Sequence, residues 1–319
     1  MTASFFSPDY RAVRAIAAAS IGNALQWFDF VAYGFFAVTI GKLFFPATDQ
    51  RISLLLALAS FGVTFFMRPL GAVVIGAYAD RRGRKAGFVL TILLMLAGTA
   101  IIAVGPTYAT AGLFAPVLIV SGRLLQGFAA GAEFGSATAF LAEQNPQRRG
   151  FFASWQFASQ GLTTILATGF GAILASSLTP AQMIDWGWRL PFIFGLLIGP
   201  VAFFIRRNVE ETVEFRSATA SRTPVRELFS DGVGRLLISF GSIILCNVAM
   251  YTVLFMPTYA AQQLGLPATG GFLAGLVTGA IQVVLMPIVG GFTDRHGRIP
   301  IAVTSALVIL LTIYPMFAW

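Results

Sequence analysis

Gly76-Ala77-Tyr78-Ala79-Asp80-Arg81-Arg82-Gly83-Arg84-Lys85 returns 214 positions later as Gly290-Gly291-Phe292-Thr293-Asp294-Arg295-His296-Gly297-Arg298. Both stretches read Gly-x-x-x-Asp-Arg-x-Gly-Arg, and each lies between two long apolar runs. One basic loop would mean membrane anchoring alone. Two copies in matching positions mark a duplicated architecture. The rest of the chain agrees with a membrane solvent. Hydrophobic residues make up 57% and charged residues 11% of the 319 positions, against about 25% charged in a soluble domain. The mean hydropathy is +0.80. That composition excludes a soluble enzyme and a disordered chain. A single Cys, Cys246, and a single His, His296, exclude a disulfide framework and a Cys- or His-based metal centre. A net charge of +8 in so apolar a chain reads as basic loops beside a membrane, not as a nucleic-acid surface.

A membrane-crossing helix needs about 20 mostly apolar residues. Nine such spans are expected: Ala15–Ile40, Ile52–Tyr78, Gly87–Val104, Gly112–Leu141, Phe152–Leu174, Trp188–Ile205, Leu236–Ala261, Phe272–Phe292 and Ile299–Phe317. With the N-terminus in the cytoplasm, 16 of the 21 Lys and Arg fall in cytoplasmic segments. Three, Lys42, Arg51 and Arg189, fall outside, and Arg68 and Arg123 lie within spans. This is a strong positive-inside bias. The polar segment Arg206–Arg235 divides the chain into a six-helix bundle (1–206), a cytoplasmic linker (207–235) and three further helices (236–319). Each Asp-Arg-x-Gly-Arg copy then occupies the second connection of its half, on the cytoplasmic side.

At these residues the chain resembles the major facilitator superfamily, whose halves form a parallel repeat. Further stretches resemble its metabolite:proton symporter branch. They are Gly22-Asn23 through Gln26-Trp27-Phe28-Asp29-Phe30, Met67-Arg68-Pro69-Leu70-Gly71, Arg123-Leu124-Leu125-Gln126-Gly127 with Glu133, Ser154-Trp155-Gln156, and Trp186-Gly187-Trp188-Arg189-Leu190-Pro191. The runs Met67–Lys85 and Gly112–Gln156 are most similar to citrate and tricarballylate symporters. The resemblance implies an all-α polytopic fold in a bacterial inner membrane. It implies symport of a small organic anion, such as a di- or tricarboxylate, with protons, and no cofactor beyond the proton gradient. A proline- or betaine-type zwitterion carrier is the alternative. The family has twelve spans. Six plus three, ending at Trp319, therefore reads as a chain truncated after the ninth span, and implies that these residues do not transport alone.

Charges within a bilayer cost about 2.5–3.5 kcal/mol each on insertion scales and usually face a cavity or a partner. Four are expected here: Asp29, Arg68, Arg123 and Glu133. They sum to zero, so protonating one acid leaves a positive site for an anion. Two structural salt bridges would have the same count. Asn23, Gln26, Asp29 and Tyr33 recur at three- and four-residue steps and share a helix face, read as a cavity-lining stripe in which Asn23, Gln26 and Tyr33, like Gln126, are substrate-binding candidates. Asp29 is the expected proton site there, or else a structural partner for a neighbouring helix. Arg123 lies about 16 Å into its span at 1.5 Å per residue, near the midplane, with Gln126 and Glu133 on the same side. Its planar fork suits a carboxylate. Glu133 is a proton-relay or gate candidate, equally a structural residue. Arg68, before Pro69, contacts substrate or anchors its helix, and Pro69 is a potential kink.

Gln156, Gln160 and Thr163 form a polar stripe, read as substrate-binding or as interhelical hydrogen bonding. Asn247, Tyr251 and Gln282 are the substrate-site candidates of the second half. Gly127, Gly131 and Gly135 read as a close-packing ridge. Asp80, Arg81, Gly83 and Arg84, with Glu143 and Arg149, and Asp294, Arg295 and Arg298 are expected to form conformational latches. In these an Asp accepts bonds at a helix N-terminus or from Arg. His296 reads as a loop filler and Cys246 as a packing residue. The sequence contains no Walker loop, zinc signature or nucleophile elbow, so neither an ATP-driven pump nor an enzyme is expected.

Overall fold

The computed structural model describes residues 10–207 and 268–318, with 233–234, 236–241, 243–244 and 247 between them. The described residues form helices and short connections, without a strand. The helices are α1 (Tyr10–Phe35), α2 (Ala37–Phe44), α3 (Gln50–Arg82), α4 (Arg84–Val104), α5 (Tyr108–Ala111), α6 (Phe114–Glu143), α7 (Arg149–Ser177), α8 (Pro180–Asp185), α9 (Leu190–Arg207), α10 (Ala268–His296) and α11 (Arg298–Ala318). Six of them, α3, α4, α6, α7, α10 and α11, are long and apolar enough to cross a membrane, and α1 with α2 makes a seventh, broken span. Most of the expected seventh span, most of the linker and Tyr251 lie outside the described residues.

The first span differs from the continuous helix expected over Ala15–Ile40. It bends by 68° between the arms Ala19–Gly34 and Ala37–Phe44. Phe36 at the break has φ −95° and ψ 12°, outside the helical region. The bend lets Tyr33, Phe36, Ile40 and Phe44 from both arms join one buried cluster with Ile102, Ile119, Leu174, Trp188 and Phe192. Pro69, by contrast, leaves α3 an unbroken assignment from Gln50 to Arg82.

A second cluster lies at the opposite end, where Ala19, Phe88, Ala137, Phe140, Leu141 and Phe152 meet. The polar residues lie between the two on every helix involved. On α1 Asp29 falls between Ala19 and Tyr33. On α4 Thr91 and Thr99 fall between Phe88 and Ile102. On α6 Arg123–Glu133 falls between Ile119 and Ala137. On α7 Gln156–Thr163 falls between Phe152 and Leu174. Two apolar plugs thus enclose a polar layer.

Glycine permits the close approach this layer needs. A Cβ on Gly127 would run into the Thr64 backbone of α3, and one on Gly131 into the Arg68 carbonyl. A Cβ on Gly98 of α4 would lie 2.7 Å from Gln126 Cγ of α6. Gly135, the third member of the expected ridge, faces open space instead. The glycines of the repeated motif have a different reason. Gly83 and Gly297 turn the chain between α3 and α4 and between α10 and α11 with φ of 107° and 85°, a region costly for residues with a Cβ. Phe88, Phe140 and Phe152 cluster where α4 begins, α6 ends and α7 begins. Asp294, at the end of α10, bonds the start of α7. Both motif loops therefore sit at one end of the molecule, as a parallel repeat requires.

Candidate functional site

The polar layer is built mainly from α1, α4 and α6. Helical spacing places Asn23, Gln26, Asp29 and Tyr33 on one face of α1, and all four are buried. Arg123 and Gln126 of α6 are fully buried opposite them. Gln126 joins the two charges. Its Oε1 accepts from Arg123 Nη1 at 2.7 Å, and its Nε2 donates to Asp29 Oδ2 at 2.8 Å. Thr99 of α4 donates to the same Oδ2 and accepts from Gln126 Nε2 at 3.0 Å. Asp29 Oδ1 and Arg123 Nε and Nη2 are buried with no hydrogen-bond partner among the described residues. Nε and Nη2 form the side-on edge of the guanidinium, the fork that grips a carboxylate in two parallel bonds.

Aromatic rings support both arginines. The Arg123 guanidinium lies 3.6 Å from the Tyr33 ring centroid, with Phe30 and Phe61 at 5.4 and 5.3 Å. Tyr33 Oη is hydrogen-bonded to Ser60 Oγ of α3. Arg68 lies against Phe65, Phe30 and Trp27 at 4.3, 4.8 and 5.7 Å. Glu133 is buried nearer the motif end, where Thr91 donates to its Oε2 at 2.8 Å.

The α7 stripe faces α1. Asn23 Nδ2 donates to the Gln156 carbonyl at 2.8 Å and to Ser159 Oγ at 2.6 Å, while Gln156 Nε2 donates back to Asn23 Oδ1 at 2.9 Å. Thr163 donates to the Ala24 carbonyl at 3.0 Å. Gln26, Gln156 and Gln160 each keep a buried Oε1 without a hydrogen-bond partner among the described residues.

The second-half candidates are dispersed. Asn247 donates to the Ile243 carbonyl one turn back at 2.8 Å. Gln282 lies in the seam between α7 and α10, its Cβ 2.9 Å from where a Gly161 Cβ would stand.

At the motif end, Asp294 accepts from the backbone N–H of Gly150 at 2.6 Å and of Phe151 at 2.9 Å. A carboxylate here meets unpaired donors and the positive end of the α7 dipole. Arg149, the first residue of α7, is exposed, as are Arg81, Arg295 and Arg298. Asp80 and Glu143 are half-buried. Arg84 follows the Gly83 turn as the first residue of α4.

Thr99, Thr91, Ser60 and the aromatic wall of Phe30, Phe61 and Phe65 were not among the expected site residues. Thr91 and Thr99 had a legible signal: two hydroxyls eight residues apart, hence on one helix face, in an otherwise apolar run. Arg189 has a structural role outside this layer. It donates to the Ala103 and Gly105 carbonyls at 2.9–3.2 Å and so caps the end of α4.

Helix order, parallel loops and a buried charged layer define a polytopic membrane transporter. Residues 16–319 match the Major Facilitator Superfamily, and the chain belongs to it. It is a transporter, not an enzyme. It is 39% identical to a citrate-proton symporter of Klebsiella pneumoniae over 95% of this chain and 69% of that one. It is 33% identical to a proline/betaine transporter of Escherichia coli over 95% of this chain and 64% of that one. Among solved structures it resembles the E. coli proton:xylose symporter XylE bound to 6-bromo-6-deoxy-D-glucose. The TM-score is 0.75 at 16% identity, over 91% of this chain and 70% of that one. At that identity the likeness concerns the fold.

Proposed function

We propose that this chain serves proton-coupled symport of a small organic anion, a di- or tricarboxylate such as citrate or tricarballylate, across the bacterial inner membrane. The observation that carries this reading is the buried fork of Arg123, without a hydrogen-bond partner among the described residues and joined through one amide to the buried Asp29. An anion binds the fork, and a proton neutralises Asp29. Each makes the other more favourable, because the pair without a proton has no net charge and the protonated pair has one positive charge. The citrate-proton symporter at 39% identity supports the substrate class. A betaine ligand needs open aromatic faces for its cation. Trp27, Phe30 and Phe65 here hold the guanidinium of Arg68 instead.

Alternating access closes one end of the path at a time. In this reading the bond from Asp294 to the start of α7 is a latch on the motif end, which faces the cytoplasm. Glu133 takes part in proton passage between Asp29 and that end. Uptake of radiolabelled citrate into proteoliposomes holding a twelve-span form of the carrier that contains these residues, with and without an inward proton gradient, tests the function. Gradient-driven accumulation that Asp29→Asn abolishes is the expected result. Accumulation of betaine without citrate, or normal accumulation by a folded Asp29→Asn protein, overturns it.

A further inference from the structure

Gln126 stands between the cation and the carboxylate and bonds to both. We propose that it is a positioning residue, a spacer that keeps Arg123 and Asp29 from closing into a direct ion pair. This inference rests on the reading of Arg123 as the anion subsite.

An amide has one acceptor end and one donor end. Oε1 accepts from Arg123 Nη1, and Nε2 donates toward Asp29 Oδ2 and Thr99 Oγ1, which lie together on one side of it. The reverse orientation would set NH2 against a guanidinium and C=O against a carboxylate. Thr99 reinforces the arrangement, since its hydroxyl donates to the same Oδ2. The two charged groups are thus held by one atom each, Nη1 and Oδ2. The atoms without a hydrogen-bond partner among the described residues, Nε and Nη2 on one side and Oδ1 on the other, are those left for anion and proton.

The consequence is simultaneous occupancy. A proton on Oδ1 breaks no existing bond at Oδ2, and an anion on the fork breaks none at Nη1. In a direct buried pair each ligand would first have to separate two desolvated charges, which is strongly unfavourable. The surroundings allow this assignment. The other titratable or charged side chains packed around Asp29 are Tyr33 of α1, under Arg123, and Arg68 of α3, which shares the Phe30 ring with Arg123. Glu133 lies two turns further along α6, against Thr91. The stripe of α7 is Gln156, Ser159, Gln160 and Thr163, and α9 has no charged residue before Arg206.

The test uses the purified 319-residue chain in lipid nanodiscs. Infrared difference spectra on acidification report the Asp29 carboxylic acid band, identified by its loss in Asp29→Asn. Gln126→Leu, similar in size but without polar atoms, lets Arg123 close on Asp29, so the band disappears from the acid range where the wild type develops it. Adding Arg123→Leu removes the cation and restores the band, which separates pairing from misfolding. In citrate binding, Gln126→Leu lowers affinity by about tenfold or more, and the loss vanishes in the Asp29→Asn background. An unchanged Asp29 band in Gln126→Leu, or an equal loss of affinity in both backgrounds, overturns the spacer. If the wild type binds no citrate, the substrate reading fails and the infrared arm alone decides on Gln126.

Discussion

Helix α7 carries two contrasting faces. Toward α1 it presents Gln156, Ser159 and Thr163, which hydrogen-bond Asn23 and the Ala24 carbonyl. Toward α10 it presents Gly150, Ser154, Gly161 and Thr168, which lie so close to Gly290, Gly279 and Gly275 that a Cβ on any of those three would clash. A Cβ on Gly161 would lie 2.7 Å from the Gly279 carbonyl, and one on Gly279 would lie 2.7 Å from the Gly161 carbonyl. The first face is a set of directional bonds with one register. The second is smooth and close, held by van der Waals contact, with the Asp294 bonds to Gly150 and Phe151 at one end. A helix that must stay with one neighbour and shift against another is expected to divide its residues this way. Directional bonds are lost when a register changes, whereas small-residue contacts between backbones can be exchanged.

Three perturbations would break or sharpen this contrast. The largest effect is expected from Gly161→Leu. Its side chain has no space against the α10 backbone, so overpacking costs about 1–3 kcal/mol. The melting midpoint of the purified protein should fall, and a wild-type midpoint would show that the seam is loose. Next comes Asp294→Asn, which keeps an acceptor but removes the charge from the helix N-terminus, an effect of about 1 kcal/mol. A cysteine at Ser154, beside the seam, should then react faster with an aqueous thiol reagent applied at the motif end. Unchanged reactivity would leave the Asp294 bonds without a closing role. The smallest effect belongs to the polar face. A double-mutant cycle of Asn23→Leu and Gln156→Leu should return a coupling of about 0.6 kcal/mol, typical of hydrogen bonds between membrane helices. A coupling above that of the seam would reverse the ranking of the two faces.

Much of this architecture was legible in the residues themselves. Hydropathy located the helices, because an apolar run in lipid must satisfy its own backbone. The duplicated motif placed both loops at one end. Its glycines were needed wherever they stood, since each turn takes a positive φ that only glycine adopts without strain. The intramembrane charges Asp29, Arg123 and Glu133 were found on the same principle, since a charge is too costly at that depth to be incidental. The break at Phe36 was not legible. Nothing in the local pattern interrupts the apolar run, and the bend is compensated by packing around Trp188, a residue far along the chain.

Composition and periodicity by themselves determined that this protein is an all-helical membrane chain, which residues are too polar for lipid, and which face of its own helix each one occupies. Only the tertiary structure decided who meets whom. Gln126 reaches Asp29 across 97 positions, and Asn23 reaches Gln156 across 133. Thr99 joins the first pair, and Asp294 takes the start of α7. Periodicity fixes a side chain's direction about its own helix axis. A hydrogen bond also depends on the depth, rotation and spacing of a second helix, to within a few tenths of an ångström. Those are set by where glycines such as Gly98, Gly127 and Gly131 let backbones approach, and that is a property of the packed bundle.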